Sequence, residues 1–137
     1  MRPLIAANWK MNKDRTESKA FVDKFMRLIS KNNSSEIVLC VPFTSLCALG
    51  TMLENSRIKL GAQNMNFEEQ GAYTGEISAS MLKGVEAEYV ILGHSERRQY
   101  FNENNELINK KIKSALKNKL KPILCIGETL EQRNNNK

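Results

Sequence analysis

The stretch VILGHSERRQYF, residues 90–101, places an apolar run directly against a polar cluster. The run ends at Gly93, the only histidine of the sequence follows as His94, and Ser95 and Glu96 come next. In parallel α/β proteins the carboxyl ends of buried strands build the ligand site. The position of His94 therefore indicates a functional site at a strand end, although a lone histidine is often a structural residue.

Four other short runs resemble the one before His94. They are mostly apolar and do not alternate, which is typical of parallel strands that are buried on both faces. The five predicted strands are Leu4–Trp9, Ile37–Val41, Ile58–Gln63, Tyr89–Gly93 and Pro122–Gly127.

Apolar residues at helical spacing separate the predicted strands. The predicted N-caps are Thr16, Thr44 and Ser78 for the first three helices, and Asn118 is the predicted C-cap of the helix before the last strand. The lysines between 110 and 121 are interpreted as a solvated helix face rather than a nucleic-acid patch. The alternation predicts a parallel sheet with right-handed crossovers.

Two architectures fit this alternation. An open, doubly wound sheet of five strands is complete at this length, whereas a (β/α)8 barrel takes about 250 residues, of which 137 are little more than half. The first strand is followed by KMNKDR, which contains neither a glycine-rich phosphate loop nor clustered aspartates. The open-sheet architecture therefore lacks its usual chemistry.

Composition limits the class of protein. A length of 137 residues suits one domain, and the formal net charge of +6 allows an anionic partner, either nucleic acid or a phosphorylated small molecule. The cysteines Cys40, Cys47 and Cys125 match no metal or redox spacing and suit a reducing compartment. No run has the length of a signal peptide or a membrane span, so we expect a cytoplasmic protein.

The polar residues at the strand ends allow several chemistries. Lys10 is either a surface lysine or a fixed cation for an anionic substrate. A helix that starts directly after His94 would disfavour a second proton on the imidazole, which can then donate a hydrogen bond to a developing oxyanion. We expect Glu96 to pair with a lysine rather than to act as a general base.

The residues around this site have structural interpretations as well. Arg97 and Arg98 can grip a phosphate, but we expect them to pair with carboxylates such as Glu76 or Glu103. The long irregular segment from Gln63 to Glu76 has the length of a functional or interfacial loop, although a merely mobile loop is the alternative.

Five motifs, in order, resemble the triosephosphate isomerase family. They are ANWKMN (7–12), GAQNM (61–65), GAYTGEIS (71–78), LGHSERR (92–98) and CIGETLEQR (125–133). The resemblance implies a (β/α)8 TIM barrel, usually a homodimer, that interconverts dihydroxyacetone phosphate and glyceraldehyde 3-phosphate without a metal or cofactor.

The resemblance assigns catalytic roles by motif. Asn8 and Lys10 match the substrate-binding pair, in which the lysine stabilises the anionic substrate and the enediolate. His94 matches the catalytic electrophile, and Glu96 matches the carboxylate that holds the lysine. A histidine kept neutral by a helix N-terminus is already known for this family, so the expectation for His94 is not independent of the resemblance.

Further residues match supporting and interface positions. Ser95 matches the residue that holds the catalytic base in the open site, and Cys125 matches a packed cysteine behind the site. Thr74 matches the residue that reaches into the partner subunit's site. The predicted dimer interface comprises Gln63, Tyr73, Thr74, Glu76 and Arg97.

The family's catalytic base, lid and phosphate loop follow later strands and are outside this sequence. We therefore expect residues 1–137 to form the N-terminal part of a single barrel domain without strands six to eight, inactive alone. The alternative is a non-catalytic fragment that acts as an interaction or assembly module. The expected partners are a small phosphorylated triose and a second subunit, with no nucleic acid and no membrane.

Overall fold

The computed structural model describes residues 3–29, 34–128 and 130–135. All five predicted strands are confirmed, with ends that shift by up to three residues. The strands are β1 (Leu4–Asn8), β2 (Glu36–Val41), β3 (Ile58–Ala62), β4 (Tyr89–Leu92) and β5 (Lys121–Leu124). The helices are α1 (Arg15–Leu28), α2 (Phe43–Leu53), α3 (Ala79–Gly84), α4 (Ser95–Tyr100), α5 (Asn105–Lys117) and α6 (Leu130–Asn134).

The strands form one parallel sheet in the order β1-β2-β3-β4-β5. A doubly wound sheet reverses its strand order at a switch point, whereas a (β/α)8 barrel adds its strands in sequence order. The sequential order therefore decides between the two predicted architectures in favour of five strands of a barrel.

The central strands are buried on both faces. Leu39 and Val41 of β2 belong to a core cluster that includes residues of α1, α2, α3 and α5. The alternate residues Val38 and Cys40 point to the opposite face and pack with residues of β4. Parallel strands covered in this way need apolar residues at every position, which is why β2 shows no alternation.

The outer strands depart from the prediction. Burial on both faces is wrong for β1 and β5, where Ile5 is 53% exposed and Leu124 is 45% exposed. Among the described residues, each of these strands has a neighbouring strand on one side only. Their apolar side chains are suited to burial, but the described residues leave them partly exposed.

The start of α1 corrects a predicted cap. Thr16 is not the N-cap; the Asp14 side chain accepts a hydrogen bond from the Glu17 amide at 2.8 Å. The Glu17 carboxylate in turn accepts from the Asp14 amide at 2.8 Å. An acidic side chain with glutamate three residues later satisfies two unpaired helix donors at once, so this capping box starts the helix before Thr16.

Of the other three predicted caps, one is wrong and two are confirmed. The prediction that Thr44 is an N-cap is wrong, because α2 begins at Phe43. Pro42 occupies the N-cap position and offers no side-chain hydrogen bond. The fixed φ of proline ends the extended segment and lets the helix start immediately. Ser78 caps α3 by accepting from an amide, and Asn118 is the C-cap of α5; both predictions are confirmed.

The lysine-rich segment is solvated except at one position. Lys111 is only 4% exposed, so the interpretation of the whole segment as a solvated face is wrong there. It lies three residues after Ile108 and four before Ala115, and these spacings turn it toward the core face of α5. No helix among the described residues is long and apolar enough to cross a membrane.

Candidate active site

The carboxylate of Glu96 joins side chains that follow two separate strands. Lys10 follows β1, and its Nζ lies 2.7 Å from Glu96 Oε1. His94 follows β4, and its Nδ1 lies 3.4 Å from Glu96 Oε2. The expected pairing of Glu96 with a lysine is present, and it brings a cation and an imidazole to one edge of the sheet.

Lys10 is held in an unusual backbone conformation. Its φ is 54°, in the left-handed region that is costly for a residue with a Cβ. The Lys10 amide donates to Asn8 Oδ1 at 3.0 Å. Gln63 Nε2 donates to the Lys10 carbonyl at 2.9 Å and to the Cys40 carbonyl at 3.1 Å. Asn8 and Gln63 therefore both support the conformation that directs Lys10.

His94 is the N-cap residue of α4, so the prediction of a helix directly after it is confirmed. Its Nδ1 accepts a hydrogen bond from the Glu96 amide at 3.3 Å. A backbone amide can only donate, so this contact leaves the lone pair on Nδ1 and the ring proton on Nε2. The longer contact between Nδ1 and the Glu96 carboxylate would need a proton on Nδ1, whereas the amide hydrogen is fixed in place, so the amide contact is the hydrogen bond.

The environment of Glu96 favours a counter-ion over a general base. The hydrogen bond from Lys10 lowers the pKa of Glu96 below its usual 4.5 and outweighs the opposing effect of desolvation, and the charge of Lys10 acts in the same direction as the bond. The carboxylate is therefore ionised at neutral pH. A carboxylate with a lowered pKa is a weak proton acceptor, whereas it holds a lysine well.

A cavity of about 750 Å³ opens beside His94. Its lining comes from the segments that follow β4 and β5, and it includes Ser95, Arg98 and Cys125. Ser95 is exposed on this wall, whereas Cys125 is partly buried and packs against the core cluster around Cys40.

The thiols near the site are poor nucleophiles. Burial raises the pKa of Cys40 to about 12, and the nearby Cys125 adds to the shift. Burial also raises the pKa of Cys125, with Arg98 acting in the opposite direction. Because the thiolate is the reactive form, both side chains are packing groups at neutral pH.

The loop between β3 and α3 is exposed in its second half. Residues 71–76, which include Tyr73, Thr74 and Glu76, are exposed, and Gly71 and Gly75 have φ values of 140° and 89°. The loop base is closed by a 2.8 Å hydrogen bond from the Asn66 amide to the Ile77 carbonyl.

A buried ion cluster lies behind the site, and the sequence predicted only part of it. Glu103 accepts from Arg97 and from Lys111, both at 2.6 Å, and Lys111 donates to Asn64 Oδ1 at 2.8 Å. The expected pairing of Arg97 with Glu103 is present, and the Arg97 guanidinium lies 4.5 Å from the Phe101 ring centroid. The position of Lys111 on the apolar stripe of α5 was the signal that could have revealed the cluster.

The ionisation of Glu103 follows from its partners. Burial acts to raise the pKa of Glu103, but the hydrogen bonds and charges of Lys111 and Arg97 outweigh it, so the pKa lies below 4.5. The cluster therefore ties the segment after β3 to α5, because Lys111 binds both Asn64 and the buried carboxylate of Glu103. In the part of the chain that the structure describes, no three His, Cys, Asp or Glu side chains are grouped to hold a metal ion.

Comparison with known proteins agrees with this geometry. The family model for triosephosphate isomerase matches residues 3–137. The triosephosphate isomerase of Alkaliphilus oremlandii (strain OhILAs) is 56% identical over 135 residues, covering 98% of this chain and 54% of the relative. That of Dictyoglomus turgidum is 54% identical over 136 residues, covering 99% of this chain and 55% of the relative.

A solved structure shows the same arrangement. The crystal structure of triosephosphate isomerase from Bartonella henselae has a TM-score of 0.91 at 42% identity, covering 99% of this chain and 55% of that chain. The chain thus spans about half the length of the curated relatives that it matches. Its sequential parallel sheet, its site at the strand ends and its match to the family model agree: the chain belongs to the triosephosphate isomerase family.

Proposed function

We propose that this chain supplies the electrophilic part of a triosephosphate isomerase active site. The reaction is the interconversion of dihydroxyacetone phosphate and glyceraldehyde 3-phosphate by proton transfer through an enediolate. The observation that carries the proposal is that Glu96 contacts both other side chains at one edge of the sheet: its carboxylate pairs with Lys10, and its amide donates to His94 Nδ1.

Each side chain has a role in this mechanism. His94 donates its Nε2 hydrogen to the substrate carbonyl oxygen as negative charge develops there. Preorganised stabilisation of this kind is usually the largest single contribution to lowering the activation barrier of an enzyme reaction. Lys10 supplies a fixed positive charge for the phosphorylated substrate and the enediolate, and Asn8 binds the substrate beside it. Glu96 holds Lys10 in place through their 2.7 Å ion pair.

The remaining functions belong to the other half of a complete barrel. A general base removes the substrate proton, and a phosphate loop holds the substrate; both follow later strands in this family. We therefore propose that residues 1–137 are inactive alone and need no metal or cofactor once complemented. In this proposal Ser95, which is exposed on the cavity wall, holds the base before the site closes, and Cys125 packs behind the site.

The exposed loop supports a homodimeric assembly. Tyr73 is 46% exposed, and the neighbouring Thr74 and Glu76 are exposed as well. Exposed aromatic side chains such as Tyr73 are enriched at subunit contacts. We propose that Thr74 reaches the partner subunit's site, with Gln63 and Arg97 at the base of the contact, in a cytoplasmic enzyme that binds neither nucleic acid nor membranes.

A second candidate is a non-catalytic assembly module. It is favoured by the exposed edge strands β1 and β5, since unpaired strand edges recruit other chains.

A chimera tests the proposal. Residues 1–137 are fused to the remaining segment of the Alkaliphilus oremlandii relative, and the product is purified from a host without its own isomerase. We expect the chimera to convert glyceraldehyde 3-phosphate, whereas residues 1–137 alone do not. A folded chimera without activity would refute the proposed function and leave the assembly module as the better candidate.

A further inference from the structure

We propose that Arg98 is a positioning residue for His94, which it fixes by tying the turn before the imidazole to the segment after β5. The kinetic consequence rests on the proposed isomerase function, whereas the structural consequence does not. Arg98 was expected to pair with a carboxylate, but within the described part of the chain its side chain donates three hydrogen bonds, all to uncharged oxygens.

The turn before His94 depends on a close approach. Gly93 has φ 70°, so the chain leaves the direction of β4 at this residue. A Cβ added at Gly93 would lie 3.0 Å from Arg98 Nη2 and 3.1 Å from Ile108 Cδ1. The guanidinium therefore occupies the space beside the turn, where any larger residue than glycine would displace it.

Arg98 binds two consecutive carbonyl groups at this turn. Its Nε donates to the Gly93 carbonyl at 2.7 Å, and its own amide donates to the His94 carbonyl at 3.1 Å. The main-chain amide of Arg98 thus holds the peptide between His94 and Ser95, and its side chain holds the peptide between Gly93 and His94. The direction in which His94 leaves the backbone follows from the orientation of these two peptides.

The same guanidinium reaches the neighbouring strand. Hydrogen bonding between the β4 and β5 segments continues to the Cys125 amide, which donates to the Leu92 carbonyl at 2.9 Å. Beyond it, Arg98 Nη2 donates to the Cys125 carbonyl at 3.3 Å, and Nη1 donates to Asn105 Oδ1 at 2.7 Å. Arg98 therefore extends the link between the strands past the point where the chain turns away.

Only arginine satisfies this set of acceptors. Its planar group offers donors in several fixed directions, whereas lysine offers a single ammonium at the end of a flexible stem. Arg98→Lys keeps the charge but cannot reach Gly93, Cys125 and Asn105 together. Asn105→Ala is the matched control, because it removes one acceptor and leaves both strand-end carbonyls bound.

Kinetics on the chimera test the functional consequence. Misplacement of a reacting group by about 1 Å costs on the order of 100-fold in rate, so we expect Arg98→Lys to lower kcat by roughly 10- to 100-fold with KM within about threefold. We expect Asn105→Ala to keep kcat within about twofold of the parent. A large rise in KM with unchanged kcat would instead make Arg98 a substrate-binding residue and overturn the proposal.

Nuclear magnetic resonance tests the structural consequence without any activity. Residues 1–137 contain one histidine, so the imidazole nitrogens of His94 give a single set of signals at a concentration low enough to keep the protein monomeric. We expect Arg98→Lys to shift these signals and to speed hydrogen exchange at the Glu96 amide, which donates to His94 Nδ1. Asn105→Ala should do neither.

The outcomes separate the two proposals. An inactive parent chimera refutes the isomerase function, and the resonance data still decide the role of Arg98. Unchanged His94 signals together with parental kcat per folded molecule overturn the positioning role. Should Arg98→Lys fail to fold by circular dichroism, Arg98→Gln, which keeps a planar donor, replaces it in both measurements.

Discussion

Lys10 and Lys13 show how much of a lysine's role depends on backbone position. Both have positive φ, at 54° and 69°, in the loop after β1. Lys10 pairs with Glu96, whereas the Lys13 ammonium lies over the rings of Trp9 and Phe21. Two lysines three positions apart therefore differ in role: Lys10 makes a contact in the candidate site, and Lys13 packs on aromatic rings.

Replacement of Lys10 tests this difference. In the chimera we expect Lys10→Met to lower kcat/KM on the order of 100- to 1000-fold, because a preorganised charge contact is lost. This corresponds to a loss of several kcal/mol of transition-state stabilisation. The control Lys13→Met keeps the site and should retain nearly full turnover. Near-normal steady-state kinetics for Lys10→Met would contradict the assignment of Lys10.

The buried carboxylate of Glu103 gives a second residue-scale prediction. Its side chain is 2% exposed, and that of Lys111 is 5% exposed. Breaking a buried pair leaves an uncompensated charge, so we expect Glu103→Gln to lower the free energy of unfolding by about 3–5 kcal/mol in urea titrations. Glu69→Gln, which breaks the exposed pair with Lys117, is the control and should have little effect.

Acid should reproduce part of that loss. The pKa of Glu103 is lowered in the folded state, so its stabilising effect is present above the usual value of 4.5 and is lost as the pH falls below it. The Glu103→Gln variant should lack this part of the acid sensitivity. An identical pH dependence in the two proteins would contradict it.

Cys40 yields a prediction about reactivity. Its pKa is raised from 9.0 to about 12, so we expect Cys40 to resist alkylation by iodoacetamide at neutral pH while the exposed Cys47 reacts. Mass spectrometry of the labelled protein distinguishes them. The stability from burying the neutral thiol is complete below pH 9.0, where the unfolded thiol is also neutral, and is lost by about pH 12. Rapid labelling of Cys40 in folded protein would show the burial to be wrong.

At the scale of elements, helix starts depend on local hydrogen bonds that periodicity does not reveal. The stretch DRTE, residues 14–17, contains two candidate caps, and the structure uses Asp14 because Glu17 completes the reciprocal pair. The spacing of apolar residues in α1 fits a start at either residue.

Matched alanine substitutions test this choice. We expect Asp14→Ala to lower the free energy of unfolding by about 1 kcal/mol, because the amide of Glu17 loses its acceptor. Thr16→Ala, inside the first turn, should be nearly neutral. Equal losses in thermal or urea unfolding would contradict the capping box.

At the scale of the whole molecule, β1 and β5 are the two edges of the sheet that the described residues form. Ile5 of β1 is 53% exposed, and Ile126, which follows β5, is 85% exposed. Unpaired backbone edges beside exposed apolar groups favour association with other chains.

Complementation tests the importance of these edges. We expect residues 1–137 alone to bind an apolar dye such as anilinonaphthalene sulfonate and to self-associate as concentration rises. The chimera should do both much less, because the added segment covers the edges. Sedimentation and dye fluorescence measure the two effects, and a monomeric, dye-free 1–137 would contradict the prediction.

The sequence by itself determined the strands, their parallel arrangement and the residues at their ends. Long apolar runs such as β2 identify themselves because a strand covered on both faces tolerates no polar residue. The motifs around Lys10 and His94 identified the family because specific polar residues follow one another there in the family's order. These features are local, so the sequence contains them directly.

Only the tertiary structure decided what depends on distant contacts. The strand order, the exposure of Ile5, the burial of Lys111 and the bonds of Arg98 to Gly93 and Cys125 each depend on which segments meet in space. A lysine or arginine has the same letter whether it is solvated or enclosed. Its role follows from the acceptors that the fold brings to it, and some of these, such as the Cys125 carbonyl for Arg98 and Asn64 for Lys111, lie far away in the chain.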